Sequence, residues 1–99
     1  MHRNGTQETA NSSQNAAYML MSVRRLCKLR RPDVATAASQ IAELLGPEFA
    51  IPVSRLADIE GGRVAPTFCG LSSLCAIYGV EMPQMLQWYR IQPRLEAAA

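Results

Sequence analysis

Apolar residues recur every three or four positions in five short segments of the chain, and no segment shows a convincing strand-like alternation. The pattern predicts helices over residues 16–30, 36–45, 52–60, 67–78 and 83–90. Five short helices joined by short loops indicate an all-α, compact five-helix bundle. The side chains predicted to face inward are Leu20, Val23, Leu26 and Cys27; Ala38, Ile41, Ala42 and Leu45; Val53, Leu56 and Ile59; Phe68, Leu71, Leu74 and Cys75; and Met85, Leu86 and Tyr89.

Prolines, glycines and short polar residues mark the predicted helix ends. Pro32 is expected to end the first helix, because proline disfavours helical geometry at the residue before it. Asp33 or Thr36 can cap the second helix, and Gly46 followed by Pro47 ends it. Two glycines after residue 60 end the third helix, since glycine adopts the left-handed conformation without a Cβ clash.

The domain organisation follows from composition along the 99 residues, a single-domain length. Residues 1–14 are polar and cannot bury enough surface to offset their ordering entropy, which predicts a disordered N-terminal tail. The folded domain is expected over residues 15–94, followed by a short C-terminal tail at 95–99.

Composition narrows the location and the chemistry. Hydrophobic residues make up 48% of the chain, but no apolar run approaches the roughly 20 residues of a membrane span. No signal peptide is recognisable, so we expect a cytoplasmic protein. Cys27, Cys69 and Cys75 form no CxxC pair and are predicted to be buried free thiols.

Catalytic chemistry is not expected. The single histidine, His2, lies in the predicted tail, and no Cys–His or Ser–His pair, Gly-rich phosphate loop or carboxylate pair in an evident pocket can be assembled. The sequence therefore predicts no enzyme, no metal site and no cofactor.

Charge is unevenly distributed. Residues 24–31 hold five cations, whereas residues 33–62 hold five carboxylates and one arginine, a net charge of −4. The basic segment is typical of a nucleic-acid contact, although charged outer faces of helices are more often simply solvated. The acidic segment would repel phosphate unless nearby cations dominate the same surface.

The stretches SRLADIEGG, RVAP, TFCGLSSLCAIYGV and EMPQML, together with the earlier IAELLG, resemble the lambda-repressor-like (Cro/XRE-type) helix-turn-helix family over roughly residues 20–87. The resemblance implies that the third helix is the recognition helix, anchored by Leu56 and Ile59. It also implies a close approach of the second and third helices. That approach depends on Ala42 with Gly46.

Glu60 needs a cationic partner, because a negative charge is disfavoured at a helix C-terminus. In the family this glutamate pairs with an arginine of the first helix, and Arg30 or Arg31 is placed to do so here. The unusual sequence IEGG then has a structural role: the glutamate holds the third helix through an ion pair, and the glycines end that helix.

The chain departs from the family at two places. The insertion PEFAIP lengthens the turn between the second and third helices, and it is expected to change the presentation of the third helix or to pack Phe49 and Ile51 beneath it. Ala38 stands where the family has a phosphate-contacting glutamine. Its base-reading positions correspond to Val53, Ser54 and Asp58.

The resemblance points to several DNA-binding residues, each with a plainer alternative. Ser54 and Arg55 lie where side chains reach base edges, or they are a helix-start serine and a solvated arginine. Asp58 can accept a hydrogen bond from cytosine, although an ordinary surface carboxylate is the more common case. Arg63 lies in the loop that approaches phosphate, or it is solvated.

Thr36 and Gln40, near the predicted start of the second helix, can donate to a phosphate, with Thr36 as a simple cap the alternative. Together with the resemblance, these residues predict a sequence-specific double-stranded DNA-binding regulator that pairs as a homodimer on a two-fold, palindromic site. The alternative is a helix-turn-helix fold that binds a protein partner without reading DNA.

Overall fold

Within residues 4–90, five α-helices and one short 3-10 helix make up the architecture. The computed structural model describes the backbone of residues 4–90 and the side chains of residues 14–90. Within that range the elements are α1 (Asn4–Leu26), α2 (Arg31–Leu45), the 3-10 helix (Pro47–Phe49), α3 (Val53–Glu60), α4 (Phe68–Tyr78) and α5 (Met82–Trp88). The described residues contain no strand, which confirms the predicted all-α class.

α1 starts much earlier than its apolar pattern predicts. It begins at Asn4, within the stretch 1–14 expected to be a tail, rather than at residue 16. Apolar periodicity reports only where a helix contacts the core, and the first buried residues among the described side chains are Ala16 and Ala17. The disorder of the first 14 residues stays a prediction, and the predicted tail at 95–99 lies outside the described residues.

The prediction that Pro32 ends the first helix is wrong. α1 ends at Leu26, and Pro32 lies in the first turn of α2, where a missing N–H costs no helical hydrogen bond. α2 therefore begins at Arg31 instead of residue 36. The backbone N–H of Arg30 donates to the Asp33 carboxylate over 2.8 Å, so Asp33 stabilises this helix start from inside its first turn.

The core lies where all five helices meet. Its buried members are Leu20, Val34, Ala38, Ile51, Leu56, Ile59, Leu71, Leu74, Tyr78 and Met85. Five residues predicted to face inward are exposed instead, namely Leu26 (80%), Leu45 (61%), Phe68 (68%), Val53 (41%) and Cys27. The first four are each the first or last residue of a helix, and Cys27 directly follows α1, so these side chains extend past the neighbouring helices.

The inserted segment between α2 and α3 is fastened to the core. Ile51 is buried, as predicted, and Phe49 is half-buried in the 3-10 helix. The Ser73 hydroxyl on α4 donates to the Phe49 carbonyl over 2.7 Å. Gly46, at φ 128°, begins the segment in a conformation that side chains rarely adopt. The insertion thus packs against α4 and leaves the outer face of α3 open.

Two tyrosines make the stability of the fold sensitive to alkali. Burial raises the pKa of Tyr89 to about 12 and raises the pKa of Tyr78 well above its ordinary value. Such tyrosines ionise first in the unfolded chain, so the free energy of unfolding should fall as the pH rises from about 10 towards about 12. Urea unfolding on either side of about pH 10 measures the fall. Tyr89→Phe should reduce it, and an identical fall in that variant would contradict the assignment.

Candidate functional site

α3 is an amphipathic helix whose first three residues are exposed. Val53, Ser54 and Arg55 point to solvent, whereas Leu56 and Ile59 are buried in the core. The N–H groups in the first turn of a helix have no intrahelical acceptor, and Pro52, the residue before α3, supplies no side-chain cap for them. This turn therefore presents a cation, a hydroxyl, a small apolar side chain and backbone donors on one outer surface.

The far end of α3 is held by a buried charge cluster centred on Glu60. Arg24 of α1 donates to both carboxylate oxygens, from Nε over 2.6 Å and from Nη2 over 3.0 Å. Arg31 of α2 donates to Oε1 over 3.0 Å. The Glu60 side chain is 1% exposed and that of Arg24 is 10% exposed, and their hydrogen bond raises the pKa of Arg24. The cluster joins α1, α2 and α3 at one point.

The outcome for the two arginines expected to pair with Glu60 is mixed. Arg31 makes the contact, but Arg30 pairs with Asp33 instead, over 3.3 Å. Sequence reasoning missed Arg24. The signal that could have found it is its spacing from Leu20, because residues four apart share a helix face and Leu20 is fully buried.

Most carboxylates of the acidic segment 33–62 form ion pairs with arginines. Glu60 is paired as described, and the pKa of the Asp33 carboxyl is lowered by hydrogen bonds from the backbone and side chain of Arg30. Asp58 lies 2.9 Å from the Arg63 guanidinium. Of the five carboxylates in this segment, all of them in the described part of the chain, Glu43 and Glu48 form no ion pair. The −4 count from the sequence therefore overstates the bare negative charge of this surface.

Asp58 and Arg63, both candidate DNA contacts, contact each other. Arg63 Nε donates to the Asp58 carboxylate over 3.0 Å, and Nη2 donates to the Ala57 carbonyl over 3.4 Å. The guanidinium thus folds back along the end of α3. The ion pair neutralises both side chains, but both remain partly exposed and therefore accessible.

The α2 candidates occupy other positions than predicted. Thr36 and Gln40 are exposed, but they lie beyond the first turn of a helix that begins at Arg31. The expectation that Thr36 caps this helix is wrong, and neither residue is adjacent to its N-terminal amides. Ala42 is half-buried, and its carbonyl accepts from the Gly46 N–H over 2.8 Å. These two residues close the helix from which the chain turns towards α3.

An open groove of about 400 Å³ lies beside the first turn of α3. Pro47 and Ile51 line it from the inserted segment, Arg55 from α3, and Phe68 from the start of α4. Because Phe68 is largely exposed, the groove combines an apolar wall with a cation at its rim.

The described side chains form no cluster suited to holding a metal ion. No cluster of three or more His, Cys, Asp or Glu side chains occurs among them. The cysteines are free, as predicted, but none is fully buried: Cys27 is exposed, and Cys69 and Cys75 are half-buried. No helix within residues 4–90 is both long enough and apolar enough to cross a membrane.

No family model, no curated protein and no solved structure matches this chain. Its function is inferred from the placement of its own side chains.

Proposed function

We propose that this chain is a lambda-repressor-like helix-turn-helix protein that binds double-stranded DNA sequence-specifically and regulates transcription. α3 enters the major groove with its first turn towards the base edges. The observation that carries the proposal is the division of α3 into an exposed start at Val53, Ser54 and Arg55 and a buried end at Ile59 and Glu60. A recognition helix needs this division, because its N-terminal residues reach the bases while the rest is held rigidly.

The Glu60 cluster supports the proposal. The resemblance implies a glutamate at the end of the third helix paired with an arginine of the first helix, and Glu60 accepts from Arg24 of α1. The contact also fixes the angle of α3 relative to α1. A helix of only eight residues cannot hold its own position in a groove without such an anchor.

The electrostatic objection to DNA binding is weakened by the ion pairs. Three of the five carboxylates in residues 33–62 are paired with arginines, and the exposed Arg55 lines the same groove as the unpaired Glu48. Arg55 is suited to bidentate pairing with guanine, and Ser54 can bond several bases. One such helix reads few base pairs, so a homodimer on a two-fold site is part of the proposal.

A second function is favoured by the groove beside α3. Its apolar wall at Phe68 fits a protein side chain better than a phosphate backbone, so a protein-interaction module without DNA readout is the competing proposal. The two proposals differ in salt dependence. If the chain binds a random-sequence duplex and its affinity falls steeply with salt, the DNA-binding proposal is supported. If it binds no duplex even at low salt, the protein-interaction proposal is supported.

Base readout is tested by Arg55→Ala. Selected-site sequencing with the purified chain should yield a two-fold motif, and Arg55→Ala should relax the preference at one position per half-site by about 1–3 kcal/mol. Arg90→Ala, which removes an exposed arginine from the end of α5, is the control and should preserve the motif. An unchanged motif in Arg55→Ala would remove Arg55 from the readout.

A further inference from the structure

Lys28 holds a backbone conformation that lysine rarely adopts. It follows the last turn of α1 with φ at 60°, the left-handed region where glycine is the usual residue. The neighbouring Leu29 N–H closes the helix on the Arg24 carbonyl over 3.1 Å. Glycine would satisfy this geometry with less strain. A strained residue that packing does not require points to a use for its side chain, and Lys28 is exposed.

The ion pairs of the basic segment 24–31 single out the same residue. Arg24 and Arg31 are committed to Glu60, and Arg30 is committed to Asp33. Arg25 and Lys28 are exposed and form no ion pair among the described residues. The free positive charge of the segment is therefore concentrated at the corner where α1 ends.

This corner is fixed to the C-terminal end of α3. The Arg24 guanidinium bonds the Glu60 carboxylate and, over 3.0 Å, the Leu29 carbonyl one residue past Lys28. The eight residues of α3 span about 12 Å, which is about the width of the major groove and exceeds its depth of about 8.5 Å. When the first turn of α3 contacts base edges, its other end therefore lies at the rim of the groove, where the phosphates are.

We propose that Lys28, assisted by Arg25, contacts the phosphate backbone of double-stranded DNA beside the groove that receives α3. The inference rests on the proposed function and deepens it, because it assigns an anchor outside the α2–α3 pair. It also explains the lysine at a glycine-like position: stability is given up for a positive charge at the DNA surface.

The chain offers a matched control for the test. Arg90 is a second exposed cation in the left-handed conformation, with φ at 62°, but it follows α5, which packs mainly on α1 and α4. Lys28→Gly and Arg90→Gly each remove one positive charge and relieve one strained backbone position. Both should raise the melting temperature by about 4 °C. Only Lys28→Gly should weaken the binding of DNA.

The readout is fluorescence anisotropy with random-sequence duplex between about 50 and about 200 mM salt. Lys28→Gly should lower the affinity about tenfold at the lowest salt and reduce the slope of log K against log salt by about 0.9, whereas Lys28→Arg should retain both. An unchanged slope in Lys28→Gly, or equal losses in Lys28→Gly and Arg90→Gly, would overturn this inference alone. Failure of the unaltered chain to bind any duplex would overturn the proposed function as well.

Discussion

Replacing Glu60 with alanine is expected to reduce the free energy of unfolding by about 3–5 kcal/mol. The substitution leaves Arg24 buried beside α3 without its counter-charge and removes three charge-assisted hydrogen bonds. A chain of 99 residues has a total stability of about 5–15 kcal/mol. Glu60→Ala should therefore lose a large fraction of the total stability, and at the lower end of that range the variant is partly unfolded at room temperature.

Urea unfolding followed by circular dichroism measures this effect, and two variants bracket it. Glu60→Gln keeps one acceptor oxygen but loses the charge and the second acceptor, so its loss should be smaller than that of alanine. Asp58→Ala breaks the partly exposed pair with Arg63 and should cost only about 0–1 kcal/mol. If Glu60→Ala cost no more than Asp58→Ala, the buried cluster would not be the joint between α1 and α3.

The helices whose ends are marked by proline or glycine were predictable from the sequence. α3, α4 and α5 begin and end within one or two residues of the predicted positions, because prolines precede or open them and glycines follow the first two. The junction of α1 and α2 was not predictable in this way. Pro32 can end one helix or begin the next, and only the Arg30–Asp33 contact decides between them.

The candidate site divides in the same manner. Leu56 and Ile59 were predictable as anchors from their spacing, but the same spacing placed Val53 inward, and Val53 is exposed at the start of α3. The partners of the charges were not, since Arg24 and Glu60 lie 36 residues apart and five cations in residues 24–31 were available. A net charge counted along a segment omits partners from other helices, which is why the acidic segment overstated repulsion of phosphate.

The same reasoning explains why some apolar positions were misjudged. Helical periodicity gives the direction of a side chain but not the distance to the next helix. Leu26 and Leu45 point along predicted inward stripes, yet each lies at the last turn of its helix and is exposed. Val34 was absent from the predicted stripe because the start of α2 was placed too late, and it is fully buried.

Replacing Leu56 with alanine should cost about 2–5 kcal/mol, because Leu56 is fully buried at the centre of α3 and its truncation leaves a cavity. Val53→Ala, on the exposed turn of the same helix, is the matched control and should change stability by no more than about 0.5 kcal/mol. Urea unfolding of the two variants measures both losses. Equal losses would contradict the division of α3 into a buried and an exposed face.

The Leu56→Ala loss should also be local before it is global. An eight-residue helix is too short to persist on its own, so α3 is held by Leu56, Ile59 and Glu60 rather than by helix propensity. Weakening one of these anchors should let α3 open while α1 and α4 remain folded. Amide hydrogen exchange should then accelerate more in α3 than in α4. Uniform acceleration across both helices would show that α3 unfolds only together with the whole domain.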